Sequence, residues 1–240
     1  MKKKTELIVA LDVPSLKDAQ VLVEKLSPAV KYFKIGMQLF TACGPSVIEM
    51  VHKYKREVFL DLKFLDIPNT VAQAALSSLR LGVFMFNVHA IGGSVMLSTL
   101  MNAVNEECKV SKKKKPLVLG VTVLTSMDRQ ELNRVGVIRS VKNEVIHLAK
   151  LCKQAGLDGV VCSGEEIKLL RRIIGKDFVL VVPGVRPKTA VSDDQKRIVT
   201  PSDAANLGAD YIVVGRPIVA QVAPLQSAKD ILAEIDQSYK

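Results

Sequence analysis

The chain has 240 residues, 34 Lys and Arg against 24 Asp and Glu, and a formal net charge of +10, with 48% apolar residues. That length and apolar content suit one sizeable core and exclude a disulfide mini-protein or a low-complexity disordered chain; the longest apolar stretches, 117–124 and 178–182, fall far short of the roughly 20 residues a membrane span needs. Lys2, Lys3, Lys4 and the lysines at 112–115 supply seven of the positive charges and leave +3, and no aromatic residue interleaves with either tract, so the basicity reads as a solvated end and a loop rather than a nucleic-acid surface.

In chain order, short β-branched runs alternate with amphipathic stretches. The apolar run 7–11 is cut off at Asp12, too early for a secretory leader, and a soluble cytoplasmic protein is expected. A first strand is predicted at 7–13, and Pro14-Ser15 then introduces a helix at 16–26. Strand 33–37 leads to helix 45–54, and strand 58–63 to helix 70–81, with Asn69-Thr70 as its cap and Gly82 as its stop. Strand 84–89 precedes helix 94–107, strand 117–124 precedes helix 141–154, and strand 159–162 precedes helix 165–174. Strand 178–182 with helix 202–207 and strand 211–215 with helix 224–235 complete the series, and Gly156, Gly175 and Gly208 follow their helices as stops.

Strands apolar on both faces indicate a parallel sheet. Eight β/α units in about 250 residues is the arithmetic of a (β/α)8 TIM barrel, here a single α/β domain over 1–240. A doubly wound open sheet is the alternative, but the first β/α turn, Asp12-Val13-Pro14-Ser15, has no GxGxxG loop. Two long loops, 126–140 and 185–200, fall on the side where barrels carry binding loops and lids.

Ionisable residues interrupt the apolar runs at that same side. Asp12, Lys34, Asp61, Lys63, Asp66, His89, Arg186 and Arg216 lie at or near C-terminal strand ends, with Thr125 and Ser126 after the fifth strand. Two apart on a strand, Asp61 and Lys63 are expected to share the barrel-interior face, with Leu60, Leu62 and Phe64 on the helix side. One such pair serves equally well as a structural salt bridge; with Lys34, Asp66 and Asp12 added, five ionisable groups close together exceed what stability needs. His89 fits either a hydrogen-bonded core role or a direct one. Pro183-Gly184-Val185-Arg186 and Val214-Gly215-Arg216 follow the seventh and eighth strands, where barrels hold phosphate; glycine lets backbone N–H groups approach and arginine offers paired donors. Cys43, Cys108, Cys152 and Cys162 show no CxxC spacing, and His52, His89 and His147 no metal-binding pattern, so neither a metal nor a redox centre is expected.

The segment Asp61-Leu62-Lys63-Phe64-Leu65-Asp66-Ile67-Pro68-Asn69-Thr70 resembles the DxKxxDIPNT motif of the orotidine 5′-phosphate decarboxylase family. Ala10-Leu11-Asp12, Phe33-Lys34-Ile35-Gly36, Asn87-Val88-His89-Ala90, Leu124-Thr125-Ser126, Pro183-Gly184-Val185-Arg186, Asp194-Gln195 and Val214-Gly215-Arg216 follow that family's order over nearly the whole chain. DxKxxD alone is shared by a wider barrel suprafamily; the full ordered set is specific. Leu65 departs from the His found in many bacterial members.

The resemblance implies decarboxylation of orotidine 5′-phosphate (OMP) to uridine 5′-phosphate (UMP), with no cofactor and no metal, in a homodimer; the charge pattern and the short apolar runs add that neither nucleic acid nor membrane is a partner. It implies Lys63 as proton donor, Asp61 against the substrate carboxylate, and Lys34 with Asp66 completing the charge network. Asp66 and Thr70 would cross into the partner's site. Asp12, Lys34 and Thr70 would hold ribose hydroxyls, and Thr125 and Ser126 the base. Arg186, Gln195, Gly215 and Arg216 would grip the phosphate. Related metal-dependent synthases and decarboxylases of the suprafamily place a carboxylate where this chain has Lys34, and a lysine there repels a cation. A non-enzymatic phosphate- or RNA-binding barrel is the reading from another class; it requires the lysine tracts for function.

Overall fold

Eight short strands close into a parallel barrel in strict sequence order. They are β1 (Glu6–Ala10), β2 (Tyr32–Gly36), β3 (Glu57–Phe64), β4 (Met85–His89), β5 (Leu117–Val121), β6 (Gly159–Val161), β7 (Val179–Val182) and β8 (Tyr211–Val214). The computed structural model describes residues 4–187 and 199–239. Around the barrel run α1 (Leu16–Leu26), α2 (Met37–Cys43), α3 (Ser46–Lys53), α4 (Pro68–Arg80), α5 (Gly93–Ser111), α6 (Arg129–Arg134), α7 (Val141–Gln154), α8 (Ile167–Ile174), α9 (Pro201–Leu207), α10 (Arg216–Val219) and α11 (Pro224–Gln237). The single (β/α)8 barrel expected from the sequence is therefore the fold. Among the described residues no helix is long and apolar enough to cross a membrane.

Alternation along each strand builds two cores. Outward residues such as Val9, Phe33, Leu60, Phe86 and Ile212 join the helices in one large apolar shell. Inward residues Ile8, Tyr32, Phe59, Met85, Leu119, Val181 and Tyr211 fill the barrel itself. At its N-terminal end, Tyr32 stands edge-on to Tyr211 with ring centroids 5.5 Å apart and lies 4.9 Å from Phe84, which closes the bottom. Two residues further up, the same inward positions change chemistry: Tyr32 gives way to Lys34, Phe59 to Asp61 and Met85 to Asn87. The apolar plug ends where the polar mouth begins.

Several boundaries differ from the sequence expectation. β1 stops at Ala10, so Asp12 stands on the following loop rather than at a strand end. β5 stops at Val121. The helix expected at 70–81 starts at Pro68, after Ile67 as N-cap, with no side-chain capping bond. Asn69 and Thr70 are inside its first turn instead of capping it, because proline's fixed φ suits the first helical position. Three short helices, α2, α6 and α10, were not expected; Asp128 caps α6 by accepting the Gln130 and Glu131 N–H groups.

The stops behave as read: Gly208 takes φ +100 and ends α9, with its N–H on the Ala204 carbonyl. The lysine run is less free than expected. Lys115 pairs with Asp158 at 2.9 Å, and Lys114 Nζ lies 5.8 Å from the Phe84 ring centre.

Candidate active site

At the C-terminal mouth the charges form a chain that starts at Asp12 and ends at Lys63. Lys34 Nζ lies 3.3 Å from Asp12 Oδ1 and 3.2 Å from Asp61 Oδ2. Lys63 Nζ donates to Asp61 Oδ1 at 2.7 Å. The Asp61 and Lys34 side chains are each only 12% exposed, so water screens them little. Burial alone would raise the Asp61 carboxyl, but the Lys34 and Lys63 ammonium groups outweigh it and hold it below the usual carboxylate range. Burial alone would likewise lower Lys34, yet Asp61 and Asp12 keep it above the usual lysine range. Lys34 and Asp61 are thus both charged at neutral pH. A buried array of this kind adds little net stability over an apolar replacement, which points to chemistry as its purpose.

Each position has a local cause. Lys34 sits within β2, and Gly36 clears its path, since a Cβ there would lie 3.0 Å from Lys34 Nζ. Gly215, after β8, is similarly close to the array; its Cβ would lie 3.3 Å from Asp12 Oδ2. β3 reaches the mouth through an irregularity. Its register to β4 runs from Leu60 opposite Phe86 to Phe64 opposite Val88, so three residues of β3 face one of β4. Lys63 takes φ +51 in this bulge. Leu60, Leu62 and Phe64 pack toward the helix shell as expected. Asp61 and Lys63 accordingly share the interior face, at a point where the ladder to β4 is irregular.

His89 at the end of β4 is half-buried; burial, then the Lys63 charge, holds its imidazole below the usual histidine range, so it is neutral at neutral pH.

One cavity of about 270 Å3 joins this array to the far loops. Asp12, Lys34, Asp61, Lys63, Thr125, Arg186, Gly215 and Arg216 all line it, as the sequence reading required. Arg186 is buried, whereas Arg216 opens α10 and is exposed. Ser126 is exposed in the turn after β5 and does not line the cavity. Asp66 and Thr70 do not line it either. Both are exposed, and Asp66 Oδ1 accepts the Ile67 N–H at 2.6 Å. Gln195 lies outside the described residues. Asn87 was read as part of a motif but given no role. It is 1% exposed and bonded to both Asp61 and Lys63, contacts that residues 24 and 26 positions away do not announce in the sequence.

Among the described residues no group of three or more His, Cys, Asp or Glu side chains could hold a metal ion. The carboxylates nearest the cavity, Asp12 and Asp61, already share the Lys34 cation.

Residues 5–231 match the model of the family described as Orotidine 5′-phosphate decarboxylase / HUMPS family. The orotidine 5′-phosphate decarboxylase of Geotalea daltonii is 50% identical over 232 residues, 97% of this chain and 96% of that protein. That of Syntrophotalea carbinolica is 50% identical over 235 residues, 98% of this chain and 96% of that one. Among solved structures, the orotidine 5′-phosphate decarboxylase of Lactobacillus acidophilus is similar with a TM-score of 0.84 and 35% identity, covering 97% of this chain and 99% of its own.

Proposed function

This chain belongs to the orotidine 5′-phosphate decarboxylase / HUMPS family and converts OMP to UMP in pyrimidine biosynthesis, and on that basis we propose how its cavity divides the work. The observation that carries the assignment is the Lys34–Asp61–Lys63 array sharing one cavity with Arg186 and Arg216.

Loss of carbon dioxide from the pyrimidine leaves a carbanion with no adjacent electron sink. Lys63 places an ammonium group at that carbon, stabilises the developing charge and then supplies the proton. Asp61 lies against the departing carboxylate and orients Lys63; Lys34 keeps Asp61 ionised and, with Asp12, meets the ribose hydroxyls. Thr125, lining the cavity, and Ser126, next to it in the turn after β5, read the base once substrate is bound, while Arg186, Gln195, Gly215 and Arg216 hold the phosphate. Two unit charges about 4 Å apart at an effective dielectric near 20 interact by roughly 4 kcal/mol, about three decades in rate. The remaining acceleration comes from binding energy at the phosphate that is realised mainly in the transition state. No cofactor takes part, because the array itself supplies both cation and proton. The direct test is the fall of OMP absorbance with purified protein in EDTA. Full turnover is expected, and activity abolished by chelation would refute this reading.

Arg216→Ala is expected to raise KM by roughly 30- to 300-fold, the loss of one charge-assisted pair of hydrogen bonds to phosphate, with a smaller change in kcat. Steady-state kinetics against OMP checks it, and a KM within threefold of the parent would remove Arg216 from the phosphate site.

The enzyme works as a homodimer in the cytoplasm on this reading. Met37, Leu65, Ile67, Ile91 and Val95 are 57, 53, 67, 56 and 66% exposed, and all follow the C-terminal ends of β2, β3 and β4. An apolar patch of this kind beside the site suits a second copy related by a two-fold axis. Asp66 and Thr70 are exposed on the same segment as Leu65 and Ile67, so docking through it carries them toward the partner's cavity. Two inactive variants, Lys63→Ala and Asp66→Ala, should then complement when unfolded and refolded together. Statistical pairing gives about a quarter of parental activity, since half of the dimers carry one intact site of two. No recovery on mixing would show that each site is complete within one chain.

A further inference from the structure

Asn87 stands opposite the irregular stretch of β3 and bridges both of its ends. The ladder pairs Leu60 with Phe86 and Phe64 with Val88, which leaves 61, 62 and 63 on one strand facing Asn87 on the other. Regular backbone hydrogen bonds are lost across such a bulge. The Asn87 side chain replaces them. Its Oδ1 accepts the Lys63 N–H at 2.8 Å, and its Nδ2 donates to Asp61 Oδ1 at 2.7 Å. Lys63 holds φ +51, a conformation that non-glycine residues adopt only when their surroundings impose it. The same amide therefore secures the backbone from which Lys63 projects and the carboxylate that receives its ammonium group.

We propose that Asn87 is a positioning residue for the decarboxylation, an amide clamp that sets the Lys63 ammonium and the Asp61 carboxylate at the reacting carbon. The chemistry of an amide explains the choice. A primary amide holds an acceptor oxygen and a donor NH2 group in one plane, which matches one backbone N–H and one carboxylate oxygen. Aspartate could accept from Lys63 but would face Asp61 with a second negative charge. Leucine, of similar size, could do neither. Asn87 is 1% exposed and sits among inward residues of the barrel, between Met85 below and the cavity above, so solvent cannot substitute for it. It need not touch substrate, and it does not line the cavity.

The inference rests on Lys63 being the proton donor. The experiment compares Asn87→Ser, Asn87→Asp and Lys63→Ala with the parent, with sites counted by UMP titration so that kcat refers to folded protein. Serine is small and cannot span both partners; aspartate keeps the size and the acceptor but loses the donor. For both Asn87 variants kcat is expected to fall about 100-fold, the effect of a displaced catalytic group, while the UMP dissociation constant and KM stay within about threefold. Should one variant not fold, the other carries the same comparison. A purely structural asparagine would lower the melting temperature and leave kcat per folded site within threefold of the parent, which would overturn the proposal. So would a loss confined to KM. If Lys63→Ala itself retains turnover, the reading of Lys63 is what has failed; if Lys63→Ala is inactive and the Asn87 variants are not impaired, only the clamp is wrong.

Discussion

Lys63→Ala is expected to lower kcat for OMP by about 10^5-fold or more while changing UMP affinity by less than about tenfold. The size follows from what the side chain does. A positioned general acid contributes typically 10²–10⁴-fold, and a fixed charge aimed at the developing anion a further 10²–10³. Both are lost together in alanine. Binding is expected to be spared because, on the proposed reading, UMP is held through Arg186 and Arg216, on another part of the cavity lining. The fold is spared because Asp61 keeps Lys34 at 3.2 Å and the Asn87 amide at 2.7 Å, so no unpaired charge remains buried. Single-turnover kinetics and a calorimetric UMP titration on the same preparation measure the two effects. A variant turning over within tenfold of the parent would remove Lys63 from the reaction.

Asp61→Asn separates orientation from repulsion. Asp61 accepts from Lys63 and Asn87 and pairs with Lys34, and asparagine leaves both lysines facing a neutral amide. The expected outcome is a kcat loss of about 10³-fold, since the ammonium is no longer held in place. The change in KM has diagnostic value. If Asp61 strains the bound substrate by facing its carboxylate, the asparagine variant binds OMP more tightly and kcat and KM fall together; if it only orients Lys63, kcat falls alone. A kcat within tenfold of the parent would sink both roles.

The same variant has a stability signature in pH. The folded Asp61 carboxyl titrates below its unfolded value, so its contribution is present above about pH 4 and disappears as pH falls through the folded value. The raised Lys34 works in the other direction; its contribution is whole below about pH 10.4 and is lost as pH rises through the folded value. Denaturant unfolding should therefore show the parent more stable than Asp61→Asn at pH 7, by about 3 kcal/mol as for a broken buried pair, with the gap closing in acid. A gap that is constant down to pH 2 would contradict the ionised assignment.

Much of this molecule was legible before its fold. Short runs apolar on both faces and glycine stops led to eight β/α units, the lack of a dinucleotide loop argued against an open sheet, and closure into a barrel follows because short parallel strands with helices outside have few other ways to bury both faces. The charged residues at strand ends identified the mouth, and the ordered motifs identified the family. These features survive in a linear reading because each is local: a side chain's chemistry, a spacing of two, or a glycine that a left-handed turn demands.

What the tertiary structure alone decided is non-local. Asp12 left its strand because β1 ends at Ala10, yet Lys34 still reaches it across a neighbouring strand. Lys63 takes φ +51 where the ladder to β4 is irregular, a conformation that alternation did not foretell. Asn87 holds Lys63 and Asp61 from another strand, and Gly36 is small because Lys34 Nζ passes over it. Asp66 and Thr70, adjacent in sequence to the array, are exposed and do not line the cavity. Composition and spacing determine which groups a chain has to offer; the register between strands, fixed only when the barrel closes, determines which of them stand within hydrogen-bond reach.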